Sequence, residues 1–150
     1  HQAIREGFDD AAFVNQRGHL SEATIWNLAF WDGETVVWPR AKMLTGTTMG
    51  ILQRQLERQG VRQVTRAIDQ QDLPRLTGAV VMNSWTPAVP VSRIGDVEIP
   101  PAPEFVELLR SAFEAGRVFS HEDWAVREPG LNPDALETGC AWVELFPQDQ

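Results

Sequence analysis

The sequence has almost no cysteine and no long apolar run. Cys140 is the one cysteine among 150 residues, so an internal disulfide is excluded and a reducing compartment is favoured. No stretch approaches the length of a membrane-spanning helix, and the polar start HQAIREGFDD lacks the apolar segment of a secretory signal. We therefore expect a cytoplasmic protein that does not bind membranes.

Basic residues are outnumbered and scattered. The chain has 13 Lys and Arg against 21 Asp and Glu, which gives a formal net charge of −8. Nucleic-acid binding needs a concentrated cationic surface, so we expect no nucleic-acid partner. Lys42 is the only lysine. This scarcity matters because one chemistry considered below needs a lysine amine.

Several kinds of reactive site also lack their usual residues. His19 and His121 have no metal-like spacing with Cys140 or with another histidine, so we expect no metal site. Cys140 has no cationic neighbour in the sequence that would activate its thiol. The GxSxG, GxGxxG and phosphate-loop motifs are absent. These absences disfavour metal, thiol and common nucleotide chemistry.

Apolar periodicity predicts an α+β domain with a strand-rich sheet and two main helices. Residues 1–8 have the spacing of a helix end. The predicted strands are 11–15, 24–31, 35–38, 61–68 and 78–85. Asp32-Gly33 predicts a hairpin turn, and Gly18 predicts a turn at 16–19. The predicted helices are 44–60, which Gly60 would end, and 104–116. Met49, Leu52 and Leu56 would form the apolar face of the first helix.

Two segments have the composition of irregular structure. Residues 86–101 contain four prolines, which predicts an edge strand or a loop. The Pro- and Gly-containing residues 118–150 are predicted to be an irregular C-terminal extension. The domain itself would then span residues 1–117.

A glycine and two threonines stand where the first clear helix begins. Gly46, Thr47 and Thr48 would place free backbone N–H groups and the positive end of the helix dipole at one point, which suits a phosphate. The alternative is ordinary capping of the helix by Thr47 or Thr48.

Two further polar features interrupt apolar segments. The turn Asn83-Ser84-Trp85-Thr86 ends the most apolar strand, and it is either a structural turn or a binding turn. Glu22 stands at the mouth of an apolar run that ends at Trp31. A carboxylate there is either solvent-exposed or needs a partner.

The order and spacing of these features resemble a known family. The segments FDDAAFVNQRGHLSEATIWNLAFW, MLTGTTMGIL and VVMNSWTPAVPVSRI are similar to three signature segments of the class IV aminotransferases. These are fold-type IV pyridoxal-phosphate enzymes that include branched-chain and D-amino-acid aminotransferases and 4-amino-4-deoxychorismate lyases. The matching residues are Asp10, Gly18, Leu20, Glu22, Asn27, Leu44, Gly46, Thr48, Asn83, Ser84, Pro90 and Val91.

The resemblance covers about residues 8–95. It implies the cofactor-binding C-terminal domain of such an enzyme, with a barrel-like sheet, two main helices packed on it and pyridoxal phosphate as the cofactor. Glu22 would pair with the pyridine nitrogen, and Thr47 and Thr48 would bind the phosphate through backbone N–H groups and the Thr48 hydroxyl. The other implied cofactor-site residues are Asn27, Gly46, Asn83 and Ser84. Asn83 would also line the substrate side, together with Trp85 and Thr86.

The sequence departs from the family in two places. Met49 stands where the family usually has an arginine after the threonine of the second segment. The Schiff-base lysine of the family lies well before the glutamate, which would place it upstream of His1. Lys42 follows Glu22, is in no family position and is interpreted as a surface residue. We therefore expect no catalytic residue in this chain, an absent N-terminal domain and no activity of the chain alone.

The resemblance implies an aminotransferase that acts on an amino acid and 2-oxo acid pair as a homodimer. The spacing from Asn83 to Val91 is more similar to the lyase branch, so a pyridoxal-phosphate lyase is the first alternative. A non-catalytic binding module with the same fold is the second. A lysine at the family's distance before Glu22 would distinguish an enzyme from such a module.

Overall fold

The computed structural model describes residues 2–23, 26–41, 43–84, 86–117 and 139–146. A short helix α1 (Gln2–Arg5) precedes the sheet. The strands are β1 (Asp10–Val14), β2 (Leu20–Ala23), β3 (Asn27–Trp31), β4 (Val36–Pro39), β5 (Gln63–Arg66), β6 (Gly78–Met82), β7 (Val89–Ile94), β8 (Val97–Glu98) and β9 (Gly139–Leu145). The longer helices are α2 (Thr47–Arg58) and α3 (Pro103–Arg117), with a 3₁₀ turn at Leu73–Arg75.

Six of the strands close into a barrel. The hydrogen-bonded order is β2-β1-β9-β7-β6-β3, and the pairing of β2 with β3 completes the ring. β4 and β5 continue the sheet beyond β3, and β8 pairs with β7. The barrel-like sheet implied by the resemblance is confirmed.

Alternate side chains of the strands divide between two cores. Leu28 and Phe30 of β3 and Val81 of β6 pack into the barrel interior. Their neighbours Ala29 and Val80 face the other way, into the second core under α2 and α3. The barrel therefore has an apolar interior and one outer face that two helices cover.

The two helices pack closely on each other and on the sheet. Met49, Leu52 and Leu56 form the buried face of α2, as their spacing predicts. A Cβ at Gly116 of α3 would collide with the Ile51 side chain of α2. The absence of a side chain at Gly116 thus lets the helices approach, which holds α2 against the barrel.

A parallel crossover positions the start of α2. β4 and β5 pair in parallel, and α2 lies between them in the sequence. The beginning of α2 is therefore at the end of the sheet where β4 ends. The Asp32-Gly33 hairpin between β3 and β4 is confirmed, with Gly33 at φ 107°.

Three sequence-based predictions of strands need correction. Leu20–Ala23 forms the separate strand β2, which was not predicted, and β3 begins only at Asn27. Val89–Ile94 is not an edge strand or loop, because β7 lies between β6 and β9.

The prediction of an irregular extension at 118–150 is also wrong for Gly139–Leu145, which forms β9 between β1 and β7 of the barrel. This strand therefore belongs to the same domain as β1. Residues 118–138 and 147–150 lie outside the described part of the chain. Among the described helices, none is long and apolar enough to cross a membrane.

Candidate functional site

A row of residues across three strands brings the predicted polar residues together. Glu22 of β2 lies opposite Asn27 of β3, and Asn27 lies opposite Met82 of β6. Directly opposite residues of antiparallel strands project from the same face of a sheet. Since Met82 packs in the core under α2 and α3, this row faces the helices and not the barrel interior.

An irregularity in β2 explains how Glu22 reaches that face. Ala12 pairs with Ala23 and Val14 pairs with Leu20, so the register shifts between the two pairs. Both Leu20 and Ala23 are buried, although a regular strand would send residues three apart to opposite faces. The extra residue allows both to bury, and it leaves Glu22 on the face opposite that of Ala23.

Asn27 connects this row to the segment before α2. Its side chain is 6% exposed. The Asn27 Nδ2 donates to the carbonyl of Leu44 at 2.8 Å, and the Gly46 N–H donates to the Asn27 Oδ1 at 3.0 Å. Both ends of the amide thus bind backbone groups of one turn, which satisfies a buried polar side chain.

The start of α2 has the properties of an anion site. Gly46 is the N-cap, with extended φ −67° and ψ 159° and no side-chain capping bond. Neither Thr47 nor Thr48 caps the helix, so the alternative interpretation of these threonines is wrong. The first turn carries no acidic residue, and Thr47 is exposed. The helix dipole at this end is consequently not offset by a carboxylate of its own turn.

Thr48 has a different role from the one expected of its hydroxyl. The side chain is 2% exposed, and its Oγ1 donates to the carbonyl of Asn83 at 2.8 Å. The single hydroxyl proton is therefore used within the protein and cannot also be donated to a phosphate. A phosphate contact donated by this hydroxyl would require the bond to Asn83 to break, whereas the backbone N–H of Thr48 keeps its place in the first helical turn.

Asn83 forms a closed turn with Thr86. The Asn83 N–H donates to the Thr86 carbonyl at 3.0 Å, and the Thr86 N–H donates to the Asn83 Oδ1 at 3.0 Å. Ser84 is exposed at the tip of this turn, so its hydroxyl is open to a ligand. Trp85, expected on the substrate side, lies outside the described residues, as does Lys42.

The structure therefore brings the expected site residues into one region. The Asn27 side chain is hydrogen-bonded to the Gly46 N–H, and the Thr48 hydroxyl is hydrogen-bonded to the Asn83 carbonyl. Glu22 lies opposite Asn27 in the β2–β3 pair. Sequence reasoning missed that the carbonyl of Leu44 is held by Asn27. The signal was an asparagine inside an apolar run, since a buried amide requires partners nearby. Among the described residues, no group of three His, Cys, Asp or Glu could hold a metal ion.

Comparison with known proteins identifies the family and similar folds. The model of the amino-transferase class IV family matches residues 1–94. A crystal structure of a putative 4-amino-4-deoxychorismate lyase from Legionella pneumophila has a TM-score of 0.72 and 20% identity, and it covers 77% of this chain and 44% of the other. The PLP-bound form of a hypothetical aminotransferase from Mycobacterium tuberculosis has a TM-score of 0.70 and 24% identity, and it covers 79% and 42%.

A third structure widens the comparison. A fold IV transaminase from Curtobacterium pusillum has a TM-score of 0.68 and 24% identity, and it covers 80% of this chain and 41% of the other. The chain thus spans less than half the length of each of these structures. No curated protein matches it. Because the family model covers more than half of the sequence, the chain belongs to the class IV aminotransferase family, whose members use pyridoxal phosphate.

Proposed function

We propose that this chain forms the cofactor-binding part of a pyridoxal-phosphate enzyme that acts on an amino acid and 2-oxo acid pair. The observation that carries the proposal is the connection of Glu22 to the first turn of α2. Glu22 lies directly opposite Asn27 in the β2–β3 pair, and the Asn27 side chain accepts a hydrogen bond from the Gly46 N–H. A carboxylate and a set of backbone N–H groups are thereby presented from one face of the sheet, as a cofactor with a basic ring nitrogen and a phosphate requires.

The first turn of α2 fits the phosphate. Thr47 and Thr48 place backbone N–H groups at the positive end of the helix, without a capping side chain or an acidic residue in that turn. The Ser84 hydroxyl, exposed on the turn held by Thr48, can add a donor. The Thr48 hydroxyl contributes by fixing that turn.

Glu22 fits the pyridine nitrogen. A carboxylate beside that nitrogen holds a proton on it, because the ion pair is stronger than a hydrogen bond to a neutral ring. Pyridoxal phosphate, when bound, supplies an electron sink for a substrate carbanion. Glu22 has intermediate exposure, so the residue is partly accessible from the surface.

The remaining roles follow from the family. Asn83 and Thr86, with Trp85, would line the substrate side, and the enzyme would be a homodimer. The Schiff-base lysine would not be Lys42. The second candidate is a lyase, which the Asn83-to-Val91 spacing favours. The two activities differ in that an aminotransferase requires a 2-oxo acid acceptor for continued turnover and a lyase does not.

The test is substitution of Glu22 in the full-length protein. Glu22→Gln keeps the size of the side chain and removes its charge, so kcat should fall about 10²-fold, as for loss of one preorganised electrostatic group. The free energy of unfolding should change little. Glu98→Gln, on the exposed part of β8, is the matched control and should retain full activity. A fully active Glu22→Gln enzyme would exclude the proposed role of Glu22.

A further inference from the structure

We propose that Asn27 is a positioning residue that fixes the phosphate-binding turn relative to Glu22. This inference rests on the proposed function, because it assigns a cause to the spacing between the two ends of that site. Asn27 would not itself touch the cofactor, in contrast to the direct role that the family resemblance implies, because both ends of its amide are bonded to the backbone. Its effect would pass through the backbone of residues 44–46, which it binds.

The two bonds of the Asn27 amide determine the path of the chain into α2. One hydrogen bond goes to the Leu44 carbonyl and the other comes from the Gly46 N–H, so the backbone is held on both sides of position 45. Such a pair of bonds fixes the turn in both position and orientation. Gly46 has no side-chain capping bond, so Asn27 supplies to this helix start the restraint that a capping side chain often supplies.

The contact with Asn27 requires a residue without a side chain at position 46. A Cβ added at Gly46 would lie 2.7 Å from the Asn27 Oδ1, closer than carbon and oxygen normally approach. Any larger residue at position 46 would therefore push the amide away and break the bond from the Gly46 N–H. Gly46 and Asn27 thus form one unit, and substitutions at the two positions should not be additive.

Asn27 also lies beside the other end of the site. Its partner across the β2–β3 pair is Glu22, and Cβ atoms of directly opposite residues are about 5 Å apart. A single residue is thus joined by strand pairing to the carboxylate and by its side chain to the helix start. Loss of the side chain would leave Glu22 in place and would release the turn. The phosphate end should therefore weaken without loss at the ring end.

The experiment compares the binding of pyridoxal phosphate with that of pyridoxal, which lacks the phosphate, to the full-length protein. The dissociation constant of pyridoxal divided by that of pyridoxal phosphate reports the contribution of the phosphate turn to binding, independently of catalysis. Asn27→Ala should reduce this ratio about tenfold or more, the effect of losing one or two hydrogen bonds that hold the site. Pyridoxal affinity should remain near the wild-type value. Glu22→Gln should instead weaken both ligands and leave the ratio unchanged.

Three further variants separate positioning from general stability. Asn15 is a matched control, because its side chain likewise makes two hydrogen bonds to the backbone of one turn. Its Oδ1 accepts both, from the N–H groups of Arg17 and His19, in the turn at the other end of β2. Asn15→Ala should lower the melting temperature and keep the wild-type ratio. Gly46→Ala should lower the ratio as Asn27→Ala does. The double variant should be no worse than Asn27→Ala alone, because the colliding amide is gone.

The outcomes are distinct. A wild-type ratio in folded Asn27→Ala, or in Gly46→Ala if the former does not fold, would overturn the positioning role and leave the proposed function standing. Additive losses in the double variant would overturn it as well. A wild-type protein that binds pyridoxal as tightly as pyridoxal phosphate would contradict the phosphate site, and the positioning role with it. Selective loss in both single variants, with non-additivity, would establish the proposal.

Discussion

The hydroxyl of Thr48 donates a 2.8 Å hydrogen bond to the carbonyl of Asn83. This bond joins the first turn of α2 to the turn that follows β6. The two polar segments that the sequence presents separately are thus held together by a buried side chain. Thr48 is expected to act on the site through this contact and not through a contact of its hydroxyl with the phosphate.

Removal of the Thr48 hydroxyl should cost stability and cofactor affinity together. Thr48→Val keeps the shape of the side chain and should lower the free energy of unfolding by about 1 kcal/mol, the net value of one hydrogen bond. Affinity for pyridoxal phosphate should fall as the turn bearing Ser84 loosens. Thr48→Ser retains the donor and should resemble the wild type. Thr47→Val, at an exposed position, is the control for denaturation and should be near neutral.

An acidic residue in the first turn of α2 should have opposite effects on stability and on binding. Thr47→Asp favours the helix dipole, so the free energy of unfolding should rise by about 0.3–1 kcal/mol. The same carboxylate would repel a phosphate at the helix start, so the affinity for pyridoxal phosphate should fall. The measurements are denaturant titration and ligand titration at low ionic strength.

Thr47→Asn is the control for this pair of effects, since it has the size of Asp without the charge. It should bind pyridoxal phosphate nearly as the wild type does. Equal affinities of the Asp and Asn variants would place the phosphate away from the start of α2.

Local sequence patterns predict the elements whose partners are near in the chain. The Asp32-Gly33 hairpin and the apolar face of α2 depend on neighbouring residues, and both predictions are confirmed. β9 pairs with β1, more than one hundred residues away in the sequence, and with β7. Nothing in the composition of 139–145 indicates pairing with β1 and β7, so this strand is not predictable from its own residues.

The four prolines of residues 86–101 predict an edge strand or a loop, and this prediction is wrong for β7. Pro90 occupies an interior strand, where it pairs with Val80 of β6 and its carbonyl accepts the N–H of Phe146. A proline lacks the backbone N–H donor but keeps the carbonyl acceptor, and the barrel uses that acceptor.

The candidate site residues were identified by family resemblance. The separate roles of the Thr48 hydroxyl and the Asn27 amide required the fold, because both depend on which backbone groups face them.

Two glycines of the helix pair should respond in opposite directions to the same substitution. Gly116→Ala places a methyl group against the Ile51 side chain at the α2–α3 contact, so the free energy of unfolding should fall by about 1–3 kcal/mol. Gly50 of α2 has the end of the flexible Arg54 side chain as its nearest neighbour, at 3.4 Å. Gly50→Ala should therefore gain helix propensity, up to about 1 kcal/mol. Denaturant titration of the two variants measures both changes in the free energy of unfolding. A stabilising Gly116→Ala would contradict the close helix packing.

Lys42 should not carry the cofactor. The family resemblance places the Schiff-base lysine before the glutamate in the sequence, whereas Lys42 follows Glu22. Covalent attachment needs an amine that can lose its proton, and arginine cannot supply one. Lys42→Arg in the full-length enzyme should therefore retain activity. After reduction with borohydride, peptide mass mapping should find the pyridoxyl group on another lysine. A stoichiometric adduct on Lys42, with an inactive Lys42→Arg enzyme, would show that these 150 residues hold their own attachment site, in a place the family does not use.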